Sequence, residues 1–241
     1  MAEYERQTVG ARPGTAAVID EGLRSYMLKV YNYMGIGLAV TGLVAYFFSQ
    51  YALSNEAVFN AVYNSPLTWV IIFAPLAFVF GLGFGINKMS ASTAQMVFWA
   101  YAAVMGLSLS SIFFIYSGAS IARVFFITAA MFGGMSLYGY TTKRDLTGMG
   151  SFLFMGLIGI IIASLVNIFI DSSALQFAIS VIGVLVFVGL TAFDTQKIKE
   201  MYVEFDGAEV MGKKAIMGAL TLYLDFINLF LMLLRLFGNR N

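Results

Sequence analysis

The sequence lacks cysteine and histidine altogether, and charged residues make up only 11% of its 241 residues. Without cysteine the chain can form no disulfide, thiolate nucleophile, iron–sulfur cluster or cysteine-bound zinc. Without histidine it lacks the usual metal ligand and the usual side chain for proton exchange near neutral pH. Any proton chemistry must therefore depend on carboxylates, lysine or tyrosine.

This scarcity of charge accompanies a very apolar composition, with 60% hydrophobic residues and a mean hydropathy of +0.83. A typical soluble domain is about 25% charged, because its surface needs charge to stay dispersed. The composition therefore predicts an integral membrane protein and excludes a disordered chain or a coiled coil. The formal net charge of +1 argues against nucleic acid as a partner.

Charged residues divide the chain into segments long enough to span a bilayer. A hydrocarbon core of about 30 Å needs roughly 20 apolar residues per helix. Six uncharged gaps meet this length, and a seventh apolar stretch is interrupted by Asp225. With short loops between them, these segments predict one all-α seven-helix bundle over residues 24–241, after a polar cytoplasmic tail over residues 1–23. The helices are expected near residues 30–50, 67–87, 94–116, 121–142, 149–170, 174–196 and 214–237.

Lysine and arginine predict the orientation of the bundle. With seven spans and a cytoplasmic N-terminus, eleven of the 14 basic residues fall on the cytoplasmic side. Only Arg123, Arg235 and Arg240 fall outside, which is the charge bias typical of inner-membrane proteins. The last helix leaves two possibilities open. It either crosses the bilayer fully, or it re-enters and returns Arg235 and Arg240 to the cytoplasmic side.

Asp225 is the most informative residue, because it lies about 16 Å along its helix from Lys214, near the midplane of the bilayer. A charged side chain at that depth costs at least roughly 2.5–3.5 kcal/mol. This cost favours a functional role over a buried, purely structural aspartate. Asn228 lies one helical turn further on and extends the polar stripe.

Asp194 is the second candidate and lies near the cytoplasmic end of the sixth helix. Taken alone, it could equally be a helix-end carboxylate paired with the nearby Lys197. A cytoplasmic loop joins the sixth and seventh helices, so Asp194 and Asp225 can meet inside the bundle. Two carboxylates in a site of low dielectric constant share one proton. We therefore expect a pH-sensitive contact that separates, or admits a cation, when the proton leaves. Two carboxylates are too few for a tight Ca²⁺ site and predict transient binding.

The sequences around these aspartates resemble those of the Bax inhibitor-1 family, in its bacterial branch. The matching stretches are Leu222–Phe230 and Phe193–Lys199, together with Tyr31–Met34 near the start of the first helix. The resemblance extends from about residue 24 to residue 238. It implies a bundle with the last helix at its centre and a pH sensor formed by Asp194 and Asp225. The activity it implies is a pH-sensitive leak of Ca²⁺, and some bacterial relatives are linked to a membrane-bound AAA protease.

The chain departs from that family in the second helix. Studied bacterial members of the family that it resembles have a glutamate and an arginine in or after this helix that interact with the two aspartates. Residues 67–87 contain neither, and Lys88 is the nearest charge. Lysine cannot replace the two-pronged contact of arginine, so we expect an altered gating network. The residues expected to support the gate are Thr191, Asn228, Lys88 and Arg235.

Three classes of function compete. The first is a passive Ca²⁺ leak gated by the aspartate pair. The second is a non-transporting regulator whose tail, residues 1–23, binds a membrane-bound AAA protease or another membrane partner. The third is an intramembrane aspartyl protease, which needs a GxGD motif that Leu222–Asp225 lacks. We therefore expect no enzymatic activity and no cofactor. The expected partners are the lipid bilayer and calcium ions, and the expected location is a bacterial inner membrane.

Overall fold

The computed structural model describes the backbone of residues 13–241 and the side chains from residue 21 onward. Regular structure in this range is helical, and a single isolated β-bridge joins Tyr116 to Arg240. A short 3₁₀ turn, Ile86–Lys88, links the third helix to the fourth. The α-helices of the described chain are α1 (Pro13–Ser54), α2 (Glu56–Tyr63), α3 (Leu67–Gly85), α4 (Ala91–Leu109), α5 (Ile112–Ile115), α6 (Gly118–Thr141), α7 (Thr147–Ile170), α8 (Ser173–Glu200) and α9 (Ala208–Phe237).

Seven helical stretches of this structure are long and apolar enough to cross a membrane. They are the greater part of α1, then α3 with its 3₁₀ turn, α4 with α5, and each of α6, α7, α8 and α9. The prediction of an all-α integral membrane protein with seven spans is therefore confirmed.

The predicted helix limits differ from the structure in three places. Helix α1 begins at Pro13, so the part of the predicted tail after residue 12 is helical, while residues 1–12 lie outside the described chain. The predicted loop over 51–66 contains α2, whose first turn is capped by Asn55 Oδ1 accepting a hydrogen bond from Val58 N at 3.2 Å. The predicted third helix is interrupted at Ser110 and Ser111, which separate α4 from α5.

Helix α9 forms the centre of the bundle, and α1, α4, α6 and α8 all pack against it. In its most apolar stretch 72% of the residues are buried, against 11% in α3 and in α7. Small residues permit the neighbouring helices to approach α9 closely. A Cβ atom at Gly218, for example, would lie 2.9 Å from Ile198 Cγ2 of α8. The expectation of a central last helix is confirmed.

Helix α9 also crosses the bundle completely. At its start, Glu209 Oε1 accepts a hydrogen bond from the backbone N–H of Ala91, at 2.7 Å. Beyond its end, Ser117 N donates to Asn239 O at 3.1 Å. Ala91 begins the α4–α5 span and Ser117 follows it, so the two residues lie at opposite ends of the bundle. The re-entrant alternative is therefore wrong. The end where α9 begins is called the basic end, because it carries Lys88, Lys143, Arg144, Lys197, Lys199, Lys213 and Lys214.

Candidate functional site

Asp194 and Asp225 are brought together by the antiparallel packing of α8 on α9. The loop between these helices is folded back by Lys214, whose Nζ donates to Asp206 Oδ2 at 2.6 Å and to Met201 O at 2.8 Å. The two carboxyl groups then lie within hydrogen-bonding reach of each other. The structure therefore brings together the two residues that the sequence singled out.

Burial makes this pair chemically unusual. Asp225 is only 5% exposed, and its Oδ2 atom has no hydrogen-bond partner in the described part of the chain. The salt bridges of the described residues involve Asp206 and Glu209 but neither Asp194 nor Asp225. Two ionised carboxylates can only accept hydrogen bonds. A hydrogen bond between them therefore needs a proton on one of the two groups.

The pair lies in a cavity of about 620 Å³ between α7, α8 and α9. The wall is mainly apolar, with leucine, isoleucine and phenylalanine side chains from all three helices. Along α9 the cavity extends from Thr221 to Arg235, which is roughly 21 Å at 1.5 Å per residue. Lys197 lines it toward the basic end, and Arg235 lines it toward the opposite end. The cavity therefore extends along nearly half of the length of α9.

The four supporting candidates fall into two groups. Asn228 and Arg235 line the cavity, and both lie on the face of α9 that carries Asp225. Thr191 is fully buried, and its Oγ1 donates to Phe187 O at 2.7 Å. Lys88 is exposed in the 3₁₀ turn after α3. Neither Thr191 nor Lys88 is among the residues that line the cavity.

A chain of hydroxyl groups behind Asp194 was missed by sequence reasoning. Tyr31 OH hydrogen-bonds with Ser136 Oγ at 2.7 Å, and Ser136 Oγ with Thr195 Oγ1 at 2.9 Å. Thr195 Oγ1 in turn donates to Thr191 O at 2.7 Å. These bonds connect α1, α6 and α8 at the residue that follows Asp194. The partners lie 105 and 59 residues apart, so no local pattern could indicate them.

Gln196 provides a second contact that the sequence did not indicate. Its Oε1 accepts from Leu146 N at 2.9 Å, and its Nε2 donates to Arg144 O at 2.9 Å. The side chain thus attaches α8 to the loop before α7. Since α7 is one wall of the cavity, Gln196 helps to position that wall beside Asp194.

The site offers few ligands for a metal ion. No group of three or more acidic side chains suited to a metal occurs among the residues that the structure describes. Two carboxylates provide only part of the 6–8 oxygen ligands that Ca²⁺ takes. The geometry is compatible with brief contact between a partly hydrated cation and the pair.

The chain is similar to known proteins over almost its whole length. Residues 23–241 match the family described as inhibitor of apoptosis-promoting Bax1. The chain is 56% identical to protein RP147 of Rickettsia prowazekii (strain Madrid E) over 221 residues, covering 92% of each chain. It is 54% identical to inner membrane protein YbhL of Escherichia coli (strain K12) over 222 residues, covering 91% of this chain and 93% of that protein. A Caulobacter vibrioides protein is 46% identical over 246 residues, with 99% of this chain covered and 98% of that protein. This seven-helix membrane protein therefore belongs to the Bax inhibitor-1 family.

Proposed function

We propose that this protein is a pH-sensitive leak channel for Ca²⁺, with Asp194 and Asp225 as its gate. The observation that supports this most directly is the contact between the two carboxyl groups inside the long cavity. Calcium is the transported ion, so the proposal involves no catalysed reaction and no resident cofactor. The inner membrane is the proposed location, in line with the printed name of the Escherichia coli relative.

The gate follows from the charge of the pair. With one shared proton, the carboxyl groups hold α8 and α9 together. When that proton is lost, two unit charges about 4 Å apart repel by about 4 kcal/mol at an effective dielectric constant of about 20. Such a change alters a two-state equilibrium by roughly a thousandfold. Higher pH therefore favours separation of the helices and entry of a cation between the carboxylates.

The test is Ca²⁺ flux into proteoliposomes over about pH 6 to 8, a range set by the shared proton. Wild-type flux is expected to rise with pH. The double variant Asp194→Asn, Asp225→Asn is expected to lose this pH dependence, because amides do not titrate. Asp171→Asn is the matched control, since Asp171 is exposed at the end of α7. Folded protein with no flux above that of empty liposomes would refute the proposal.

One observation favours the non-transporting alternative. The side chains lining the two ends of the cavity include cations, Lys197 and Arg235, which oppose the entry of Ca²⁺. A regulator that binds a membrane-bound AAA protease would need no open path. Deleting residues 2–12, the part of the tail that precedes the described residues, distinguishes the two functions. A tail-mediated regulator should stop co-purifying with the protease, whereas a leak channel should keep its flux.

A further inference from the structure

Two arginines meet at the end of the bundle opposite the basic end. Arg235 belongs to the last turn of α9, and Arg240 follows shortly after this helix. Together with Gln176 and Tyr116 they line a separate cavity of about 360 Å³. Neither arginine takes part in the salt bridges formed within the described chain. Two like charges therefore share one cavity without a carboxylate partner.

The backbone holds Arg240 in this position. Asn241 N donates to Ile115 O at 3.0 Å, and Asn239 N donates to Ser120 Oγ at 2.8 Å. A Cβ atom at Gly238 would lie 2.6 Å from Tyr116 Cδ1, so the approach of this segment depends on glycine. Here backbone hydrogen bonds keep Arg240 beside Arg235.

Both arginines are exposed at the mouth of this cavity, and their donors suit a phosphate group. Guanidinium groups bind phosphate through paired N–H donors, and the Gln176 amide provides further donors. The rest of the wall is apolar, with Ile112, Ile115, Leu231 and Leu234. Arg235 lies in the last turn of a membrane-spanning helix, and this position is at the level of the lipid head groups. We propose that Arg235, Arg240 and Gln176 bind the phosphate of an anionic phospholipid, whose acyl chains lie against the apolar wall.

Arg235 connects this site to the aspartate pair, because its side chain also lines the larger cavity. A bound head group would neutralise the cation at that end of the cavity. This connection rests on the proposed leak function, whereas lipid binding itself does not. The two can therefore fail independently.

The binding test is native mass spectrometry of the full chain in detergent, titrated with phosphatidylglycerol. Wild type is expected to retain one lipid more tightly than the double variant Arg235→Gln, Arg240→Gln. Loss of charge-assisted hydrogen bonds to phosphate should weaken that binding by about tenfold or more. Arg123→Gln is the matched control, an exposed arginine at the same end of the bundle. Equal retention by the double variant and wild type would overturn the proposal.

A second variant separates loss of the site from loss of folding. Arg240→Glu keeps the backbone bonds of residues 239 and 241 and puts a carboxylate beside Arg235. We expect unchanged thermal unfolding and loss of lipid retention; wild-type retention would contradict the site. The last measurement is the binding of inorganic phosphate to wild type and to the double variant. If phosphate binds wild type but not the double variant, while lipid retention is equal in both, a free phosphate site replaces the lipid site.

Discussion

At the scale of single residues, Gln196 shows how one buried side chain positions the surroundings of Asp194. Gln196→Leu would leave Leu146 N and Arg144 O without partners. An unpaired buried polar group costs about 1–3 kcal/mol, so we expect a clear fall in stability. The measurement is thermal unfolding in detergent. Gln50→Leu, on an exposed part of α1, is the control and should change little. Equal melting temperatures for both variants would contradict this role.

Asp145 provides a pH-dependent prediction outside the membrane. Hydrogen bonds from the hydroxyl and the backbone N–H of Thr147 hold the pKa of Asp145 below its ordinary value. Because the folded pKa is lowered, ionised Asp145 stabilises the start of α7 at pH values above the unfolded pKa. That contribution is lost as the pH falls through the folded pKa. Carboxyl ¹³C NMR should give a titration midpoint for Asp145 below that of an ordinary aspartate. In Thr147→Val the midpoint should rise, and an unchanged midpoint would refute the hydroxyl contribution.

At the scale of helices, the packing of α6 on α8 depends on Gly139. A Cβ atom there would overlap the carbonyl oxygen of Ala192, two residues before Asp194. Gly139→Ala must therefore push the helices apart, at a cost of about 1–3 kcal/mol. Gly133→Ala is the matched control on the same helix, because nothing lies within 4 Å of its Cβ position. Thermal unfolding in detergent should give a lower melting temperature for Gly139→Ala than for Gly133→Ala. Equal melting temperatures would show that α6 does not pack this closely on α8.

At the scale of the whole molecule, the positive charges predict a cytoplasmic basic end. The chain has no cysteine, so single cysteines can report on each side. Asn64→Cys and Asn241→Cys should react with a membrane-impermeant thiol reagent in spheroplasts, whose inner membrane is intact and accessible from outside. Gly207→Cys, exposed in the α8–α9 loop, should react only after the membrane is opened. Reaction of Gly207→Cys in sealed cells would show that the basic end faces outward, which would contradict the predicted orientation.

Much of the architecture could be predicted because the relevant properties are local. A gap between charged residues can be compared directly with the thickness of a bilayer. The aspartate pair could also be predicted, since one short loop joins α8 to α9 and limits how those helices can pack. Arg235 and Asn228 line the same cavity as Asp225 because they share a helix face with it. Lys88 lies away from that cavity, in the turn after α3.

By itself the sequence determined the class of protein, the seven spans and the pairing of Asp194 with Asp225. Only the tertiary structure decided that α9 crosses completely, that Tyr31, Ser136 and Thr195 form one hydrogen-bonded chain, and that Arg240 lies beside Arg235. The physical reason is the solvent. In lipid an apolar face gains little by burial, so hydropathy does not reveal which faces meet. Those contacts are decided by small residues and polar bonds between distant parts of the chain.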